Sequence, residues 1–286
     1  MGGPRAGPRR STDQAEDDAH KPTGVKSVRA LERGLDVLLA VRTAGGLGLN
    51  ALHQQLGLPK ATLLRLLQTL ASRSLVWRRL ADGVWMPAAV IQGGPADAGC
   101  RLAEIASPLM VELSNKLVWP SVIAIPRADH MEVIETNSPM SRFDFASLGP
   151  VGVKLSYLHT ATGRAYLAAC SEAERAALVA RLAPPDAGPD GYHLLEAIMD
   201  ETRARGWSTR VPHHPWADRN RQTVLRDGKH SIAVAVQGRG GPIAALNITW
   251  PSRRASVADV AEQCLGSLQA IAERIGQAAA ATDFTW

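Results

Sequence analysis

The sequence predicts an α+β protein in two parts: a helical head that ends in a short hairpin, and a larger domain whose strands lie between helices. Three observations carry that expectation. Apolar-periodic helices fill residues 28–72 and are followed at once by two short strands around Asp82-Gly83. Strand patterns at 118–125, 131–136, 231–236 and 243–250 are interleaved with helical ones. The 286 residues are too many for one small domain and comfortable for two.

Residues 1–24 are rich in Gly, Pro, Ser and charge and read as a disordered tail. The composition, 45% hydrophobic and 21% charged, excludes a fully disordered chain. No run approaches the ~18 apolar residues of a membrane span. The N-terminus lacks the apolar core of a secretory signal, so the expected compartment is the cytoplasm, with no membrane partner. Cys100, Cys170 and Cys264 stand far apart, without metal-ligand spacing, and read as free thiols.

The first helix carries Val28, Leu31, Leu35, Leu38 and Val41 as one apolar stripe, with Ser27 to cap it and Gly45-Gly46 to end it. The second, 49–56, places Leu49, Leu52 and Leu56 on one face and stops at Gly57. The third opens at Pro59, whose missing N–H costs nothing at a first helical position, and runs to residue 72. Leu63, Leu64, Leu66, Leu67 and Leu70 share one arc of it; Thr62, Arg65, Gln68, Thr69 and Ser72 share the opposite arc. That second arc offers hydrogen-bonding groups and no carboxylate, which suits phosphates and base edges.

Charge points the same way. Between residues 25 and 92 nine basic residues stand against three acids, while the remainder is near neutral. Three helices and a hairpin, in that order, make a winged helix-turn-helix, whose third helix enters the major groove and whose hairpin meets flanking backbone. The candidate DNA contacts are Lys60, Thr62, Arg65, Gln68, Thr69, Arg78 and Arg79. A solvated basic surface and a head that binds protein are the competing readings.

A Gly- and Pro-containing break at 92–99 divides the chain into a head (25–92), a linker with a linker helix (93–117) and a second domain (118–286). Leu102, Ile105, Leu109 and Leu113 form the stripe of the linker helix. Ser107-Pro108 inside it predicts a kink, or a new helix capped by Ser107. Further helices are expected at 160–169, at 171–182 behind the capping box Ser171…Glu174, at 194–205 closed by Gly206, and from Ser256 onward. Residues 184–191 read as a surface loop.

Catalysis finds little support. The sequence has no HExxH, HxxxH or GxSxG, and the adjacent His213 and His214 would point to opposite faces of a strand. No catalytic residue, metal site or cofactor is implied. A small-molecule site fits better. Thr160-Ala161-Thr162-Gly163 opens a helix with small residues, where free N–H groups and the dipole favour an anion. Ordinary capping by Thr160 explains the same residues equally well. Asn247 shares a strand face with Ala245 and Thr249, and Trp119 shares one with Ser121, so either face could line a cavity. Arg142 is a candidate carboxylate partner, or a solvated loop arginine.

The runs Ser27-Val28-Arg29-Ala30-Leu31-Glu32-Arg33-Gly34-Leu35 and Leu56-Gly57-Leu58-Pro59-Lys60-Ala61-Thr62-Leu63-Leu64-Arg65 resemble IclR-type bacterial transcription regulators. So does Leu155-Ser156-Tyr157-Leu158-His159-Thr160-Ala161-Thr162-Gly163-Arg164-Ala165, with Ser156 where a proline is usual. Gly206-Trp207 and residues 231–236 resemble later landmarks, so the likeness spans about residues 25–280. Val118-Trp119-Pro120 and Leu246-Asn247-Ile248 look most like the branch that controls 3-hydroxyphenylpropionate and related aromatic-acid catabolism.

The resemblance implies an effector domain similar to GAF and PAS sensors. It adds His159, His214, Trp216 and Ser231 to the ligand candidates Trp119, Ser121, Arg142, Thr160, Ala161, Thr162 and Asn247. It implies a regulator that binds double-stranded operator DNA as a homodimer or tetramer and responds to a small organic acid. RNA polymerase is a further partner if the protein activates. A ligand-sensing adaptor with a protein-binding head and a small-molecule enzyme are the rival expectations.

Overall fold

The computed structural model describes residues 2, 28–92, 97–141, 150–185, 187–210, 216, 227–282 and 284. The head comprises α1 (Arg29–Ala44), α2 (Leu49–Leu56), α3 (Lys60–Ser72), β1 (Val76–Arg78) and β2 (Trp85–Pro87). Left-handed glycines end the first two helices, Gly45 at φ 67° and Gly57 at φ 65°. The β1–β2 hairpin pairs Trp77 with Met86, and Leu47 bridges the far side of Trp85. Val37, Val41, Leu52, Leu63, Leu67, Val76 and Trp85 are the core that this arrangement closes over.

Two expectations about α1 need correction. Its N-cap residue is Val28, with no side-chain cap, and Ser27 lies outside the described residues. Its buried residues are Val37, Ala40 and Val41, whereas Val28, Leu31, Leu35 and Leu39 are exposed. The helix carries apolar residues on two arcs, and periodicity alone does not say which arc the domain uses. On α3, Leu64 is exposed although it was expected inside, and the helix starts at Lys60 with Pro59 as its cap.

The larger domain continues with α4 (Ala98–Lys116), β3 (Ser121–Pro126), β4 (Met131–Thr136), β5 (Lys154–Leu155), α5 (Ala161–Ala169), α6 (Glu172–Leu182), α7 (Pro189–Arg205), β6 (Ser208–Thr209), β7 (Lys229–Gly238), β8 (Gly241–Pro251) and α8 (Val257–Ala281). Its sheet is antiparallel in the order β5-β4-β3-β8-β7-β6. One face packs on α4 and α8 through Ile123, Ile232, Val234, Leu246, Ile248 and Trp250. The other packs on α5, α6 and α7 through Val122, Ala124, Ala233 and Ala245.

Local chemistry explains most boundaries. The capping boxes Ser171–Glu174 and Ser256–Asp259 are both formed. Helix α7 starts earlier than the pattern suggested because Pro189 occupies a first-turn position, so part of the expected 184–191 loop is helical. Strand β3 starts only at Ser121, after Pro120, which has no N–H to give a ladder.

The expected linker helix is part of the domain core. Leu102, Ala103, Ala106, Met110 and Leu113 of α4 are buried with α8. It is also one continuous helix through Pro108, not two. Ser107 caps nothing; its hydroxyl turns to Ala103 O at 2.8 Å and to the carboxylate of Glu135, also at 2.8 Å. Among the described residues no helix is long and apolar enough to cross a membrane.

Candidate functional site

The head presents one polar surface. Lys60, Arg65, Gln68 and Thr69 are exposed along α3, and Thr62 is partly so. They project there because Leu63 and Leu67 anchor the opposite side. Thr69 Oγ1 donates to Arg65 O at 2.9 Å, which holds that hydroxyl to its own helix. In the hairpin Arg78 Nε donates to Gly83 O at 3.4 Å. Arg79 is engaged within the turn by both oxygens of Asp82, at 3.0 and 2.6 Å. Burial opposes ionisation of Asp82, but the Arg79 and Val84 hydrogen bonds hold its carboxyl below the ordinary range. Phosphate would therefore compete with Asp82 for Arg79.

The second candidate lies where α5 meets the sheet. Ser156 organises the approach. Its Oγ accepts Leu158 N at 3.1 Å and His159 N at 3.2 Å, and its carbonyl accepts Thr160 Oγ1 at 2.6 Å. Thr160 Oγ1 in turn accepts Gly163 N at 3.0 Å, so Thr160 is a helix cap. Gly163 lies against the turn so closely that a Cβ would come 2.4 Å from Ser156 O and from Tyr157 Cα. His159 is buried with Nδ1 3.0 Å from Ser156 Oγ. Ala161 packs its methyl into the core and offers the site only backbone. Thr162 is different: its side-chain hydroxyl is buried and has no hydrogen-bond partner among the described residues.

Ser208 fixes this helix start to the sheet, donating to Ala161 O at 2.5 Å and lying 3.4 Å from Ala233 O. Ala233 pairs with Asn247, and Ser231, next on that face, pairs with Thr249. Ser231 Oγ and Thr249 Oγ1 are 2.9 Å apart, Asn247 Nδ2 reaches Thr249 Oγ1 at 3.4 Å, and Asn247 Oδ1 accepts Val122 N at 3.0 Å. The result is a buried polar patch on an otherwise small-residue face, beside a helix N-terminus. Its chemistry, a helix start beside hydroxyl and amide groups, would suit an anionic group next to a hydrogen-bonding one.

Other expected residues fall elsewhere. Trp119 precedes β3 and stacks toward Trp250, 6.4 Å between rings, on the opposite side of the sheet. Ser121 pairs with Ile248 and belongs to that same far side. Strand parity had grouped Trp119 with Ser121 correctly, but neither shares a face with Asn247. Trp216 is buried against the start of α7, its ring edge-on to Tyr192 at 4.7 Å, within the same core cluster as Ala161 and Ala233. Arg142 and His214 lie outside the described residues.

Sequence reasoning passed over three residues. Thr249 was legible from its alternation with Asn247. Ser208 carried no signal, because β6 is only two residues long. Arg164 is fully buried, its Nε donates to Leu158 O at 2.5 Å, and neither terminal nitrogen has a partner among the described residues. Burial lowers its pKa to about 10. It lies two positions from Thr162 on α5, and Glu201 and Arg205 of α7 are the charged groups that act on it.

A cavity of about 650 Å³ opens at the far end of α5, between Ala168, Arg203, Trp207, Gln237 and Gly276, and includes none of the expected ligand residues. Among the described residues no cluster of His, Cys, Asp and Glu could hold a metal ion.

Comparison with known proteins covers both parts of the chain. Residues 30–79 match the IclR helix-turn-helix domain, and residues 98–277 match the bacterial transcriptional regulator IclR C-terminal domain. The acetate operon repressor of Salmonella typhimurium is 27% identical over 242 residues, 79% of this chain and 81% of the repressor. A transcriptional regulator of Rhodococcus sp. RHA1 superposes with a TM-score of 0.54 at 24% identity, covering 90% of this chain and all of the other. An IclR homologue of Microbacterium hydrocarbonoxydans, solved with 4-hydroxybenzoate, gives 0.51 at 18% identity, covering 88% and 99%.

Proposed function

The chain belongs to the IclR family of bacterial transcriptional regulators, and on that premise we propose that it controls a catabolic operon in response to a small aromatic acid. It is a DNA-binding regulator with a ligand-binding C-terminal domain, not an enzyme. In this reading Arg65 and Gln68 read base edges from α3, while Lys60, Thr62 and Thr69 position the helix on the duplex. Arg78 and Arg79 meet phosphate from the hairpin.

The acid's carboxylate sits at the N–H groups that open α5, beside the Thr162 hydroxyl. Its ring lies over the small residues of β7 and β8, and a ring substituent reaches Ser231, Thr249 or Asn247. The observation that carries this reading is the buried Thr162 hydroxyl, which has no partner among the described residues. A buried polar group is retained at a cost, and a ligand acceptor or donor is what would offset it.

The protein acts as a homodimer or a tetramer, because one recognition helix spans too few base pairs for useful specificity. Val28, Leu31, Leu35 and Leu39 on α1 are the apolar surface that a second copy would cover.

The test is a thermal-shift titration of the wild-type chain and Thr162→Val with 4-hydroxybenzoate, 3-(3-hydroxyphenyl)propionate and acetate. An aromatic acid raises the wild-type melting temperature, and Thr162→Val needs at least about tenfold more acid for the same shift. A response to acetate alone would overturn the aromatic reading. An unchanged titration in Thr162→Val would move the pocket away from α5.

A further inference from the structure

Glu135 belongs to neither site, yet it touches three parts of the molecule. It stands on β4 opposite Ile123 of β3 and is fully buried. A carboxylate so placed must find donors or give up its charge. It finds four. Oε2 accepts Leu80 N at 2.9 Å and Ser107 Oγ at 2.8 Å; Oε1 accepts Ala81 N at 3.0 Å and Thr136 N at 2.9 Å. Leu80 and Ala81 form the turn of the β1–β2 hairpin, more than fifty residues away in the chain. Ser107 lies in α4, just before Pro108. One carboxylate therefore ties the head's hairpin, the connecting helix and the central sheet together.

The surroundings reinforce this tie. Trp77 and Leu80 of the hairpin pack on the core of the larger domain. One turn before Ser107, Glu104 Oε2 accepts Ala89 N of the segment after β2 at 3.0 Å. Burial still outweighs the donors and pushes the Glu135 carboxyl above its ordinary range, as expected of a group whose ionised form depends on keeping all its partners.

The same strand pair leads back to the polar patch. Asn247 Oδ1 holds Val122 N; Val122 is in register with Thr136; and Thr136 N is bonded to Glu135 Oε1. Beside this point the β3–β4 register shifts between Ile123 and Ala124, a local irregularity where a strand can move without breaking a regular ladder.

We propose that the Glu135 carboxylate is a latch that holds the hairpin of the DNA-binding head to the effector domain, and that Asn247, Val122, Thr136 and Glu135 form the route from the polar patch to that latch. A shift of Asn247 moves β3, β3 moves Thr136 and Glu135, and Glu135 loosens or tightens the hairpin turn. The effector then changes the angle at which α3 is presented. The latch requires neither the identity of the acid nor the operator sequence, so it can fail while the proposed ligand class stands, and the reverse.

The test is hydrogen exchange by mass spectrometry on the full-length chain, free of ligand. Glu135→Gln keeps the shape but puts an amide donor against one of the hairpin N–H groups. Exchange over residues 79–84 and 104–110 should rise at least about tenfold, while α5 and β7 keep wild-type rates. Ser107→Ala, which leaves the carboxylate intact, should give a rise of about threefold or more in the same segments; it decides the matter if Glu135→Gln does not fold.

Asn247→Ala should speed hairpin exchange in the wild-type background and add less than about twofold to Ser107→Ala or Glu135→Gln, because one route is already broken. Unchanged hairpin exchange in the Glu135 and Ser107 variants would overturn the latch. Acceleration spread evenly over the whole domain would reduce Glu135 to a structural residue and overturn it as well. Multiplying effects of Asn247→Ala and the latch variants would overturn the route.

Discussion

The two faces of β7 and β8 are built from alternate residues of the same strands and behave differently. Leu246, Ile248 and Trp250 lie under α4 and α8 in an apolar layer, where the one polar atom of Trp250 donates to Ala255 O at 2.9 Å. Asn247, Thr249 and Ser231 lie on the other side as a buried polar patch near a helix start. Both faces are packed, but the larger apolar side chains of β7 and β8 lie on the first. The second combines small side chains, Ala233 and Ala245, with those polar groups.

The contrast can be broken or sharpened by substitution. The largest effect is expected from Trp250→Ala, which empties a fully buried volume and should destabilise the chain by about 3–5 kcal/mol in denaturant unfolding. Asn247→Ala should cost about 1 kcal/mol, because it removes the buried side-chain contacts of Oδ1 with Val122 N and of Nδ2 with Thr249 while the β3–β8 ladder stays paired. A cost as large as that of Trp250 would show that the polar face also bears the fold.

Thr162→Val should go the other way, stabilising the ligand-free chain by about 1 kcal/mol through removal of an unpaired buried hydroxyl. A loss of stability there would mean that the hydroxyl already serves the fold. Arg65→Ala, outside both faces and exposed, should change stability by less than about 0.5 kcal/mol. It should still weaken specific operator binding by about 1–3 kcal/mol in a gel-shift titration.

Much of this division was readable in advance, for physical reasons. Strand alternation separates Asn247 from Ile248 whatever the tertiary context. Capping boxes and left-handed glycines are local signals, and Ser171, Ser256, Gly57 and Gly206 behave as such. What failed depended on distant partners. The packed side of α1 is chosen by α2 and α3, so Leu31 and Leu35 were assigned inward when they face out. Trp119 shares strand parity with Ser121, but only the pairing of Ser121 with Ile248 shows which face that is. Ser107 read as a cap because its real partner, Glu135, lies on a strand 28 residues away.

The close seating of Gly163 on the Ser156–Tyr157 backbone has a thermodynamic consequence. That turn is held by its own hydrogen bonds, so the backbone that opens α5 is fixed before any ligand arrives. A binding event need not freeze it, and the usual loss of about 0.5–1.5 kcal/mol for each immobilised flexible side chain does not arise at this end. Micromolar affinity corresponds to about 8 kcal/mol. Spread over an acid of roughly ten non-hydrogen atoms, that is about 0.8 kcal/mol per atom, below the ~1.5 kcal/mol ceiling for very small ligands. If the proposed site holds the effector, a receptor this rigid would let a small acid be sensed with few contacts.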